Sequence, residues 1–306
     1  MVLGKRIKKI DMMNCVKIFG CLLILLLGSI GCKKFTLTAP DFDVAITTLN
    51  YKVGDTVTFN CSGNADYVTF YSGELGYNYD FIHRTEANGE PQLKFMSFVQ
   101  NPATVDSLKL KATNNLNSWD AEGIANASWT DITNRAILST GKDSTPSGII
   151  RLNDFMLNDS FVLAFRYSGF VGSPYPIASR WTIRGVTISN VLADSSSYTL
   201  ATIGTCYWTG ISTCDTSNWY LNQQANYIQT TRKATSVQWA LTAPFKLNKV
   251  TPDVGVSIKT MGGATLTTYN YSYSRAGTYK VVFLAFNANS KEEKQVMRQF
   301  VINVSP

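Results

Sequence analysis

Histidine is almost missing, since His83 is the only one in 306 residues. A lone imidazole excludes multi-histidine metal sites and leaves a single candidate base for any Ser-His or Cys-His nucleophilic centre. Cys-x-x-Cys and Cys/His ligand spacings are absent, as are a phosphate loop, EF-hand spacing and a nucleophile elbow. Charged residues are scarce at 16% beside 12% aromatics, a balance that excludes a disordered polyelectrolyte. No apolar run reaches the roughly 20 residues that a bilayer-spanning helix needs. Beyond Phe35 no window sustains a 3.6-residue period, which excludes a helical bundle.

What charge there is sits unevenly. Lysine and arginine total 28 against 21 acidic residues, a net of +7. Lys5, Arg6, Lys8, Lys9 and Lys17 all precede the apolar run Ile18–Gly31, whose 14 residues fit the hydrophobic region of a secretory signal. The run closes on Ser29-Ile30-Gly31-Cys32, which resembles a lipobox and departs from it at Ser29, where Leu is usual. That resemblance implies removal of residues 1–31, acylation of Cys32 as the first mature residue, and a short tether over 32–35. The remaining chain then carries 23 basic and 20 acidic residues, a net of +3 without Lys/Arg clusters. Such a surface has no electrostatic footprint for nucleic acid. Beyond Cys32 the thiols are Cys61, Cys206 and Cys214. Cys206 and Cys214 are the candidate disulfide, closing one short loop; three free thiols are the alternative.

The mature chain reads as all-β. β-Branched and aromatic runs recur between Gly, Asn, Asp and Ser clusters, most clearly at 55–61, 67–71, 161–167, 181–189, 278–286 and 295–304, and none contains proline. Bulky residues alternate with smaller or polar ones in Phe161–Tyr167, the pattern of a sandwich strand with one core face. In Trp181–Ile188 the apolar phase slips by one at Gly185, where a bulge would realign the two halves.

Tyr269-Asn270-Tyr271, Gly277-Thr278-Tyr279 and Val281-Val282-Phe283 together resemble the last half of a PKD-type immunoglobulin-like domain. Asp41-Phe42-Asp43, Val53-Gly54-Asp55-Thr56-Val57 and Asp66-Tyr67-Val68-Thr69-Phe70 resemble its opening strands. Residues 36–83 and 250–306 sum to 105, the size of one such sandwich, which makes 84–249 an insertion. Within it, Phe161–Gly169 and Arg180-Trp181-Thr182-Ile183 resemble jelly-roll domains of the carbohydrate-binding, choice-of-anchor type. With Ala127–Thr133, Ser147-Gly148 and Asp253–Lys259, the whole resembles the Bacteroidota lipoprotein family known as domain of unknown function 5017. That resemblance implies a protein lipid-anchored to the outer membrane and associated with a polysaccharide uptake transporter. The cell surface is preferred to the periplasmic face, although Lys33-Lys34-Phe35 lacks the acidic residues that often mark surface export.

Chemistry is harder to find than binding. Glu74 and the Asp120/Glu122 pair are the carboxylates nearest to a catalytic reading, and turn-capping is the ordinary role of such residues. His83 is expected to be packed or hydrogen-bonded at the junction of the two domains. No cofactor or metal is expected; jelly rolls often hold a structural Ca²⁺, but no ligand set is readable. Sugars are recognised by flat aromatic faces with polar neighbours that fix the hydroxyls. Trp119, Trp208, Trp219, Tyr220 and Tyr175 stand among loop-type residues and are the glycan-binding candidates, whereas Trp129 and Trp181 fit the core. The expected function is therefore non-catalytic glycan binding, with protein or peptide binding as the alternative and glycoside hydrolysis behind both.

Overall fold

The computed structural model describes residues 36–102, 107–156, 159–233 and 236–306. Those residues are all-β, 49% strand and 6% helix, with no closed barrel among them. The strands in chain order are β1 (Asp41–Ile46), β2 (Asn50–Lys52), β3 (Thr56–Asn64), β4 (Tyr67–Tyr71), β5 (Glu90–Gln100), β6 (Leu108–Thr113), β7 (Thr130–Asp131), β8 (Thr145–Pro146), β9 (Ile150–Arg151), β10 (Val162–Ser168), β11 (Arg180–Val191), β12 (Ser197–Thr202), β13 (Trp208–Ser212), β14 (Tyr220–Asn222), β15 (Tyr227–Gln229), β16 (Val237–Thr242), β17 (Val256–Lys259), β18 (Thr268–Ser272), β19 (Gly277–Ala288) and β20 (Glu293–Ser305). One short α-helix, α1 (Ala121–Asn126), and three single-turn 3-10 helices, Tyr79–Phe81, Thr133–Arg135 and Asn153–Phe155, lie among the described residues, and none of their helices is long and apolar enough to cross a membrane. The chain divides into two compact units: Tyr71–Gly255, and the segments on either side of it.

The flanking unit is an immunoglobulin-like sandwich of two sheets, β1-β3-β18 and β17-β4-β19-β20-β2. Strand alternation turns Val57, Phe59 and Cys61 of β3 inward, to meet Val281, Phe283 and Ala285 of β19. Phe283 meets Phe59 of the facing sheet at a ring distance of 4.9 Å and Phe70 of its own sheet at 5.1 Å, so the Phe59 contact fastens one sheet to the other. At the entrance to β19 the Tyr279 hydroxyl donates to the Arg275 carbonyl at 2.8 Å, closing a tyrosine corner. Gly277 belongs to this corner for lack of a side chain: a Cβ there would stand 3.3 Å from the Tyr279 ring.

The 71–255 unit stacks sheet β13-β16-β10-β6-β7 on sheet β14-β15-β11-β5-β8, with β12 added to β11 and β9 to β5. Leu163, Phe165 and Tyr167 of β10 face Leu93, Phe95, Ile183 and Ile188 across the core. A second apolar layer lies outside the first sheet, where Leu116, Ile124, Trp119 and Trp129 cover Val162, Ala164, Trp239 and Leu241. β10 is therefore buried on both faces, not one as its alternation suggests, because α1 and its flanks roof it. The bulge at Gly185 is present: φ is +59° and the β11–β5 register shifts between Arg184 and Thr187. This unit begins at Tyr71 and ends at Gly255, outside the expected limits of 84 and 249. Asn78 N donates to Asp253 Oδ2 at 2.9 Å, Asp253 N to the Phe81 carbonyl at 3.2 Å, and Val250 N to the Thr85 carbonyl at 2.9 Å. Arg84 completes the tie, with its guanidinium 3.4 Å from Asp253 and stacked 3.9 Å over Phe81.

Candidate binding cleft

Two edge strands of the 71–255 unit, β13 and β14, end the two sheets and approach each other where Gly210 lies beside the Trp219 backbone. Each is entered by an adjacent Tyr/Trp pair. In extended chain, neighbouring side chains point to opposite faces, so one ring of each pair enters the core and the other leaves it. Trp208 and Trp219 are 4% exposed and close on Phe165 at 6.1 and 6.2 Å. Tyr207 and Tyr220 are 74% and 54% exposed. The turn before Tyr207 is fixed by reciprocal bonds, Thr202 N to Thr205 Oγ1 at 3.1 Å and Thr205 N to Thr202 Oγ1 at 3.0 Å. Ala243 N binds the Tyr207 carbonyl at 2.7 Å, so the exposed ring projects from anchored backbone.

From the last residue of β14 the chain presents three amides in succession, Asn222, Gln223 and Gln224. Asn222 holds the turn by accepting from Ala225 N at 2.9 Å and donates to the Tyr220 hydroxyl at 3.4 Å. Gln223 reaches back to the Cys206 carbonyl at 3.4 Å, tying this turn to the one before β13. Between them opens a cleft of about 490 Å³ lined by Tyr207, Trp208, Tyr220, Leu221 and the three amides. None of these lining residues is charged. Two exposed phenol rings beside primary amides offer flat faces for C–H surfaces and both donors and acceptors for hydroxyls. The same lining holds no carboxylate or imidazole to move a proton.

The family described as Domain of unknown function (DUF5017) matches residues 31–208, more than half of the chain. The chain belongs to the DUF5017 family. No curated protein and no solved structure matches it. In this DUF5017 chain the match takes in Tyr207 and Trp208 and stops there, so Tyr220 and the amide run lie beyond it.

Of the expected sugar platforms, Tyr220 and Trp208 line the cleft, and of these only Tyr220 exposes its ring. Trp208 and Trp219 are corrected to core residues, because strand alternation turns them inward. Trp119 is corrected too: half-buried, it packs on the outer layer and donates its Nε1 to the Thr242 carbonyl at 3.2 Å. Tyr175 is exposed but belongs to a different loop. Cys206 and Cys214 do not pair; both are free thiols. Strand β13 runs between them, and its five residues alone extend about 16 Å at strand rise, far beyond the roughly 7 Å Cα separation a disulfide tolerates. Burial pushes the Cys206 thiol up, away from thiolate chemistry. His83 is exposed in a turn, not packed. Asp120 caps α1 by accepting from Gly123 N at 2.7 Å, and this bond foremost holds its carboxyl below the ordinary range. No group of three His, Cys, Asp or Glu among the described residues could hold a metal. Cys32 lies outside the described residues. Tyr207 and the amides were missed by sequence reasoning; the available signal was the Asn222-Gln223-Gln224 run placed two residues after an outward-facing aromatic.

Proposed function

We propose that this DUF5017 chain is a non-catalytic glycan-binding protein, lipid-anchored through Cys32 at the outer-membrane surface, serving a polysaccharide uptake system. The observation that carries the reading is the uncharged cleft in which exposed Tyr207 and Tyr220 stand beside Asn222, Gln223 and Gln224. Tyrosine faces supply stacking, worth roughly 1 kcal/mol per ring beyond area burial, and the amides discriminate hydroxyl geometry.

The test is retardation in affinity gels cast with a panel of polysaccharides. A glycan that retards the parent chain should retard Tyr207→Ala/Tyr220→Ala with an affinity lower by about thirty-fold, as two lost stacks predict. No retardation by any glycan, or equal retardation of the variant, sinks the reading. Sugar release from the same panel would replace its non-catalytic part. Palmitate labelling in cells, abolished by Cys32→Ser, tests the anchor separately.

A further inference from the structure

Residues 169–179, between β10 and β11, form a loop held at both ends. Gly169 N donates to the Ser236 carbonyl at 2.8 Å, the Tyr167 hydroxyl to the Ser179 carbonyl at 2.7 Å, and Ser179 Oγ to the Asn101 carbonyl at 2.8 Å. Near its tip Gly172 and Tyr175 bridge, with Gly172 N 2.8 Å from the Tyr175 carbonyl. From this closed turn Phe170, Val171, Tyr175 and Ile177 all stand exposed to solvent. Burying even one such side chain is favourable, so four exposed on one short anchored loop mark a surface that meets something apolar.

The base of the loop is basic. Arg180, the first residue after it, donates through Nε to Gln100 Oε1 at 2.6 Å, and Arg232 donates through Nη2 to the same oxygen at 3.2 Å. Two guanidinium groups thus converge on one neutral acceptor, leaving donors and positive charge for an anion. Lys233 adjoins through its backbone, whose carbonyl lies against Gly169, while its ammonium is 3.5 Å from Asp215. A glycan is a poor occupant here, because Phe170, Val171 and Ile177 offer no hydrogen-bonding side chain beside the Tyr175 ring. Apolar tip over cationic base is instead the arrangement that enters a lipid interface, burying side chains among acyl chains while arginines meet headgroup phosphates.

We propose that residues 169–179 are a membrane-docking loop that inserts Phe170, Val171, Tyr175 and Ile177 into an anionic lipid surface, with Arg180 and Arg232 on the lipid phosphates. The site is separate from the glycan cleft and does not rest on it.

Every described strand and both cores lie within residues 36–306, so that chain, free of any acyl group, is the one to assay. It is sedimented with phosphatidylcholine vesicles and with vesicles containing one-third phosphatidylglycerol. Binding is expected to the anionic vesicles, to fall with added salt, and to be abolished by Phe170→Ser/Ile177→Ser. Arg180→Gln/Arg232→Gln lowers the partition coefficient about thirty-fold, from the contribution of two basic residues at a charged membrane. Tryptophan fluorescence checks that each variant is folded, and Tyr207→Ala/Tyr220→Ala binds vesicles like the parent. Equal binding to neutral vesicles, no binding to either, or binding that survives the Phe170→Ser/Ile177→Ser change overturns the proposal. If that variant instead loses a co-purifying envelope protein, the loop docks protein and the membrane assignment is wrong.

Discussion

Adjacent residues Tyr207 and Trp208 should respond to truncation in opposite ways. Trp208 is buried against Phe165, and its Nε1 donates to the Thr202 carbonyl at 3.3 Å. A buried tryptophan covers up to about 250 Å², and at about 25 cal/mol per Å² its removal costs up to about 6 kcal/mol. Measured Trp-to-Ala losses of roughly 3–5 kcal/mol fall in the same range. For a unit the size of 71–255 each kcal/mol moves the midpoint by roughly 2–4 °C, so Trp208→Ala should lower Tm by about 6–20 °C. Tyr207→Ala removes a ring that is mostly in water and should stay within about 0.5 kcal/mol of the parent. The readout is favourable: all six tryptophans fall between Tyr71 and Gly255, so fluorescence reports that unit alone. Thermal and urea transitions followed by tryptophan emission decide the matter. Equal midpoints for the two variants would refute the inward-outward assignment on which the cleft depends. Binding tests therefore belong on the tyrosines, since a Trp208 variant mixes lost affinity with lost fold.

The remaining outcomes are simpler. With a thiol reagent under native conditions, exposed Cys214 should react at once, and buried Cys61, whose thiol burial pushes up to about 11, only on unfolding; a mass gain on reduction would restore the Cys206–Cys214 bridge. Gly63→Ala should destabilise the flanking unit by about 3 kcal/mol, because φ is +74° and the new Cβ would stand 1.8 Å from the Asp41 carbonyl oxygen. Gly54→Ala, at φ +87° in open space, should cost only about 1 kcal/mol, and near-ultraviolet tyrosine signals distinguish the two while tryptophan emission holds steady. Burial pushes the Asp131 carboxyl up, but bonds from Thr133 and the Lys111 ammonium, 3.1 Å away, outweigh it and hold it down at about 2. That stability is present above the unfolded value near 4 and is lost as pH falls toward 2; in so exposed a pair it is at most about 1 kcal/mol. Asp131→Asn should remove that part of the acid dependence of the urea midpoint.

Strands were legible because a two-residue period survives in any sequence context. The six clearest segments fall in β3, β4, β10, β11, β19 and β20, and the slip at Gly185 located the bulge. What stayed illegible depends on which face a neighbour covers. Polar surroundings made Trp208 and Trp219 look like loop residues, yet each stands at an edge strand where the next residue decides which ring goes in. Trp119 was lost for another reason: α1 spans six residues, too short for helical periodicity, and only the Asp120 cap announces it. Cys206 and Cys214 are close in sequence, but an extended strand separates what a turn would have joined.

The family match stops at residue 208, but neither sandwich is complete there. A chain of residues 31–208 would keep β1–β4 and lose β17–β20, so Phe59 and Phe70 would lack the Phe283 ring that closes the flanking core. In the other unit it would lose β16, which hydrogen-bonds along β10, and β15, which does the same along β11. Trp219, Ile228, Ala240 and Leu247 would leave the core with them. β10 would then become an open apolar edge, and β11 would open over Thr182–Arg184, the condition that drives aggregation. Expressed side by side, residues 31–208 should give insoluble protein without a cooperative urea transition, while 36–306 gives a cooperative one. A cooperative transition from 31–208 would mean that the matched segment closes its own core, and that the strands beyond it are additions to a smaller fold.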